Sequence, residues 1–165
     1  MPLDGQTLLE DRELECNGPP GRMARQLYRL PITPKGMLMA MATVTLREAR
    51  QHERWEPVAS IGFAEETDTY AVRLQIYREK SRPNEVHFSL GYFAPSGAEH
   101  EFIRSVTKEL DDMSVLIEWL PEGSVRGSVG GQSVVLRDLP FKPTIFELSC
   151  STGRFEFSGV SLLAD

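Results

Sequence analysis

The sequence predicts an all-β domain, a two-sheet antiparallel sandwich with little helix. Three observations carry that expectation. Apolar residues recur at every second position in many short runs, turn residues separate those runs at even spacing, and little of the chain repeats with a helical period. Successive side chains of a strand point to opposite faces, so each run describes a strand with one buried and one wetter face.

In chain order, Gly18-Pro19-Pro20-Gly21 is a rigid loop after a first strand. Leu38, Ala40, Ala42, Val44 and Leu46 then alternate strictly. Met, Ala and Leu also suit a helix, but the β-branched Thr43, Val44 and Thr45 favour a strand. Residues 47–55 are charged enough for a helical turn or a long exposed loop. Residues 58–63 form the next strand. Tyr70, Val72, Leu74 and Ile76 alternate with Ala71, Arg73, Gln75 and Tyr77. Val86, Phe88, Leu90 and Tyr92 alternate with His87, Ser89 and Gly91. Residues 99–110 fit either a helix or a strand followed by a turn. Met113, Val115, Ile117 and Trp119 continue the pattern, with Trp119 in core phase. Gly130-Gly131 between residues 125–129 and 134–136 reads as a tight hairpin. Phe146, Leu148 and Cys150, then Phe155 and Phe157, close the set. The remaining turn signals are Pro34-Lys35-Gly36, Pro83-Asn84, Pro95-Ser96-Gly97, Pro121-Glu122-Gly123 and Thr152-Gly153. With no internal repeat and no linker, residues 1–165 are expected to form a single sandwich domain.

Composition narrows the function classes. The chain has 165 residues, 41% hydrophobic and 25% charged, with a formal net charge of −6. That balance disfavours nucleic acid and anionic membrane, because a phosphate-binding surface needs clustered Lys and Arg. The longest weakly polar stretch, residues 36–44, falls far short of the ~20 residues that span a bilayer. The first residues lack a basic region followed by an apolar run, so no signal peptide is read and the default compartment is the cytoplasm. The two cysteines, Cys16 and Cys150, have no metal-ligand spacing. Two buried thiols in a reducing compartment are the simpler reading, and Cys150, in phase with Phe146 and Leu148, reads as an inert buried thiol. The alternative is a bridge between the first and last strands, which requires an oxidising compartment and Cα atoms within about 7 Å.

One ordered set of segments is familiar. A hydrophobic strand over residues 40–46 precedes Ala59-Ser60-Ile61-Gly62-Phe63, and then comes Thr69-Tyr70-Ala71-Val72-Arg73-Leu74. The run Met113 to Trp119 is followed, after a turn, by Ser124-Val125-Arg126-Gly127-Ser128-Val129-Gly130-Gly131. Phe146-Glu147-Leu148-Ser149-Cys150 and residues 153–162 end the series. This order resembles the concanavalin A-like lectin/glucanase superfamily over roughly residues 36–163. The resemblance implies a jelly roll with one concave sheet, and carbohydrate as the commonest ligand class. The E-x-D-x-x-E pattern of the catalytic branch is missing. Glu65-Glu66-Thr67-Asp68 and the group Glu109, Asp111 and Asp112 sit near turns rather than alternating along one strand, as a glycosidase pair would need.

The expected function is therefore a non-catalytic ligand-binding module, with no catalytic residues assigned. Arg73, Gln75 and Tyr77 share one strand face, His87 and Ser89 share another, and Glu118 holds the equivalent place on a third. If those strands are neighbours, they make a polar groove with an aromatic platform, which is what sugar hydroxyls and C–H faces require. Against it stands the solvated outer face of an ordinary sheet, with His87 simply facing water. Trp55, in a charged loop, either contacts a ligand or packs over a core edge. The ligand-binding set is thus Arg73, Gln75, Tyr77, His87, Glu118 and Trp55, and the partner is a glycan or a protein. Two alternatives differ in class. One is a protein-interaction or assembly subunit on the same scaffold. The other is a glucanase-like hydrolase, for which Glu118 with Glu147 or Glu156 offer the strand-borne carboxylates. No cofactor is called for. His52, His87 and His100 lack ligand spacing, so no metal site is assigned. The acidic turn at residues 65–68 is a weak Ca2+ candidate, better read as a solvated loop.

Overall fold

A computed structural model describes residues 6–30, 36–50, 52–66, 70–78, 85–94, 97–107 and 113–165. Twelve strands make up the described chain. They are β1 (Gln6–Gly18), β2 (Ala24–Arg29), β3 (Leu38–Ala49), β4 (Val58–Ala64), β5 (Ala71–Tyr77), β6 (Glu85–Ala94), β7 (Gly97–Thr107), β8 (Met113–Trp119), β9 (Val125–Val129), β10 (Gln132–Leu136), β11 (Ile145–Ser151) and β12 (Gly153–Ala164). They form two six-stranded sheets, and every pairing is antiparallel. Sheet A runs β1-β12-β3-β8-β9-β10, and sheet B runs β2-β11-β4-β5-β6-β7. No helix occurs among the described residues.

The alternation read from the sequence becomes the core. Ala40, Ala42 and Val44 of β3, Val115 and Ile117 of β8, and Phe155 and Phe157 of β12 point inward from sheet A. Ile61 and Phe63, Val72 and Leu74, Phe88 and Leu90, and Phe146 and Leu148 meet them from sheet B. Two facing sheets pack about 10 Å apart, so a bulky residue on one side needs a small one opposite. Gly127 supplies that: a Cβ there would come within 3.0 Å of Leu74 Cδ1 and 3.3 Å of Leu90 Cδ1. Trp119 is buried as expected, edge-on to Phe141 with ring centroids 5.1 Å apart.

Residues 38–49 are a strand, and residues 97–107 are also a strand, so β-branching and strict phase win over helix propensity in the first and the strand option holds in the second. The charged stretch 47–55 divides, with residues 47–49 ending β3 and residues 50 and 52–55 lying in the loop before β4. The Gly130-Gly131 hairpin forms, with φ of 54° and 84°, a backbone that suits glycine. The turn signals at residues 34–35, 83–84 and 95–96, and the acidic group at 109–112, lie outside the described residues.

The reading of two buried thiols is overturned. Cys16 of β1 and Cys150 of β11 form a disulfide with Cα atoms 6.1 Å apart, joining sheet A to sheet B across 134 residues of chain. Both residues point into the core, and the end of β1 lies almost on the β11 backbone: a Cβ at Gly18 would sit 2.5 Å from Ser151 Cα. The partner strand is β11, the penultimate one, rather than the last.

Candidate functional site

Period-two phase puts Phe146, Leu148 and Cys150 in the core, so Glu147, Ser149 and Ser151 point outward from sheet B. Register then defines three cross-strand rows on that outward face. The first is Leu27, Glu147, Gly62, Arg73 and Gly91. The second is Arg25, Ser149, Ser60, Gln75 and Ser89. The third is Ser151, Val58, Tyr77 and His87. The expected neighbourhood of Arg73, Gln75, Tyr77 and His87 is therefore real, because β5 and β6 are paired.

At the centre is a residue that the sequence reading offered only as a hydrolytic carboxylate and left out of the ligand-binding set. Glu147 has 0% exposed side chain although it lies on an outward face. Arg25 Nη2 donates to its Oε2 at 2.5 Å, and Arg73 Nε donates to its Oε1. Arg25 arrives diagonally from β2, where it stands opposite Ser149, two residues along from Glu147. Arg73 arrives from two strands away, across Gly62. Its guanidinium also lies 5.0 Å over the Phe93 ring. Beside this cluster the Ser60 and Ser149 hydroxyls share a hydrogen bond, each residue only 1% exposed.

Three expectations are corrected. His87 faces outward but is only 3% exposed, and the Tyr77 ring directly across the ladder stacks on it at 5.6 Å and 20°. Glu118 is not in the row. Its strand, β8, pairs with β3 and β9 in sheet A, so Glu118 points from the opposite outer face, where Arg126 Nη1 approaches at 3.4 Å. Trp55 is 50% exposed and lies against Gly21 of the β1–β2 turn, off the three rows, where a Cβ would meet its Nε1 at 2.6 Å. The strand-borne carboxylates offered for hydrolysis are likewise separated. Glu156 pairs with Arg47 at 2.8 Å on the outer face of sheet A, with the whole core between it and Glu147. Glycosidase carboxyls face one another over about 5–9.5 Å.

The outer face of sheet A is of a different kind. Arg154 lies between Glu15 at 3.7 Å and Glu48 at 3.8 Å, beside the Arg47–Glu156 pair, in an exposed ladder of ion pairs. Glu66, in the acidic turn, pairs with Arg29 at 2.5 Å, and Thr67 and Asp68 lie outside the described residues. Among the described residues no three His, Cys, Asp or Glu side chains converge as metal ligands would. No helix among them is long and apolar enough to cross a membrane.

No protein-family model matches the sequence, and no curated protein matches it. Solved structures do match. The alginate lyase PA1167 of Pseudomonas aeruginosa superposes with a TM-score of 0.61 at 14% identity, over 79% of this chain and 66% of the lyase. The shared fold is a two-sheet antiparallel jelly roll. The chain spans slightly less than two thirds of that lyase. CG-16, a homodimeric agglutinin from chicken liver, gives a TM-score of 0.59 at 10% identity over 84% of this chain and 99% of its own. The carbohydrate-binding module CBM66 of Bacillus subtilis gives 0.55 at 11% identity, over 90% and 92%. At identities this low the superpositions show the jelly-roll fold alone.

Proposed function

We propose that the outward face of sheet B holds a glycan and that the chain is a carbohydrate-binding module. The observation that carries this reading is the three-row arrangement. It brings the partly exposed Arg25, Arg73, Gln75 and Tyr77 together on one contiguous sheet face, over the buried Glu147, Ser60, Ser149 and His87. Sugars are recognised by polar groups of fixed direction and by aromatic surface for their C–H faces, and ion-paired guanidiniums keep their direction without ligand. The names of the structural neighbours, an alginate lyase, a carbohydrate-binding module and an agglutinin, support the same ligand class.

The test is a glycan array that includes uronic-acid polymers, run with and without Ca2+, on the parent protein and on Gln75→Ala and Tyr77→Ala. Both variants leave the Arg–Glu–Arg contact in place. Binding by the parent that drops in both variants supports the reading; a parent that binds no glycan sinks it.

A second reading, a protein-interaction subunit, draws on the edge formed by β1 and β2. There Leu27 is exposed and helps line a cleft of 280 Å3 together with Leu8, Leu9, Leu30 and Leu162. A glycan-silent protein that self-associates through Leu27 would favour it. The Cys16–Cys150 bridge supports an oxidising compartment over the cytoplasm. Thiol labelling of protein isolated from its native source tests this, and two labelled cysteines would reverse it.

A further inference from the structure

One cavity lies away from the sheet face. It opens at the end of the sandwich, between the β8–β9 turn, the loop before β11 and the residues flanking β4 and β5, with a volume of 1040 Å3. Its walls are held by backbone hydrogen bonds: Leu139 N to Gly123 O at 3.1 Å, Thr144 N to Ala64 O at 2.9 Å and Glu65 N to Tyr70 O at 3.0 Å. Three prolines, Pro121, Pro140 and Pro143, stiffen the rim. The cavity is therefore formed in advance of any ligand.

Its floor is aromatic. Phe141 stacks on Tyr70 at 5.8 Å and 12°, and Trp119 meets Phe141 edge-on. The charged residues that line it are Glu65, Glu122 and Lys142, two carboxylates to one ammonium, with Arg126 and Arg137 acting on Glu122 from outside the lining. Ser124 Oγ donates to Glu122 Oε1 at 2.7 Å, which fixes that carboxylate in place. Ring faces carry negative potential, and with an excess of carboxylate they attract a cation whose apolar part can leave water.

We propose that this cavity is a second ligand site, for a small organic cation with a compact apolar group, such as an amine or a quaternary ammonium. It does not depend on the glycan reading, because it shares no residue with the three rows.

Trp119 reports on the site. The sequence has two tryptophans, and the other, Trp55, precedes the opposite end of β4. In a Trp55→Phe background, benzyltrimethylammonium is titrated against Trp119 emission at constant ionic strength, with benzoate and glucose as controls. The expected result is a saturable change for the ammonium alone, with a Kd of about a millimolar. The Glu65→Gln/Glu122→Gln variant weakens it about fivefold, as loss of two screened charge contacts should. Lys142→Ala tightens it, and Gln75→Ala leaves it unchanged. Both glutamates are at the surface, and circular dichroism checks that the variants fold. The proposal is overturned by no saturable change, by an equal response to benzoate or glucose, by unaltered binding in the double variant, or by weaker binding in Lys142→Ala.

Discussion

Arg73 and Glu147 touch although their strands are not neighbours. β4 lies between β5 and β11, and the residue it puts between them in the row is Gly62. A Cβ at Gly62 would meet Val72 O at 2.3 Å and Arg73 Cγ at 3.1 Å, so the arginine stem crosses where a side chain is missing. The central contact of the proposed site thus depends on a residue with no functional group.

Gly62→Ala is expected to destabilise the protein by about 2 kcal/mol, in the range of overpacking, since the first collision is with backbone rather than with a flexible side-chain end. Urea denaturation measures it. An unchanged midpoint would show that the β4–β5 pair gives way freely and that Gly62 is not the enabling residue.

Glu147→Ala should cost about 3 kcal/mol, because it leaves two guanidiniums together with no carboxylate between them. Glu147→Gln should cost less, since the amide oxygen still accepts one of the two bonds. The ordering Ala worse than Gln is the checkable outcome, and equal midpoints for both variants and the parent would remove Glu147 from the structural account.

Breaking the Cys16–Cys150 bridge releases a loop of 134 residues, worth up to about 5 kcal/mol from unfolded-state entropy. A chain of this size loses roughly 3 °C per kcal/mol, so reductant or Cys16→Ser/Cys150→Ser should lower Tm by about 10–15 °C. Calorimetry with and without reductant decides it, and a Tm indifferent to reductant would mean that the bridge does not form in solution.

Glu122 should titrate below the ordinary carboxylate range, first because the Ser124 hydroxyl bonds its charged form. A depressed folded pKa adds stability above the unfolded pKa, and that contribution is lost as pH falls through the folded value. The group is fully exposed, so the effect on stability is small, and carboxyl NMR is the right measurement. Ser124→Ala should raise the Glu122 midpoint; no movement would assign the depression to other causes.

What the sequence determined by itself was the two-sheet sandwich, most of its strands and which side of each strand faces the core. Those properties are local. Period two is a consequence of backbone geometry, and hairpin glycines act within four residues, so Val72, Leu74, Phe88 and Phe146 declare their faces without knowledge of their neighbours. Arg73, Gln75, Tyr77 and His87 do fall on neighbouring strands, because β5 and β6 are consecutive and consecutive strands commonly pair. The tertiary structure alone decided the rest. Glu118 carries the same alternation as Gln75, and only strand order puts it on the far side of the core. Arg25, Glu147 and Gly62 come together from strands more than eighty residues apart at the extremes, and a glutamate in strand phase gives no local sign that it is buried. Cys16 and Cys150 pair for the same reason. Local spacing fixes which way a side chain points, whereas the packing of distant strands fixes what it meets.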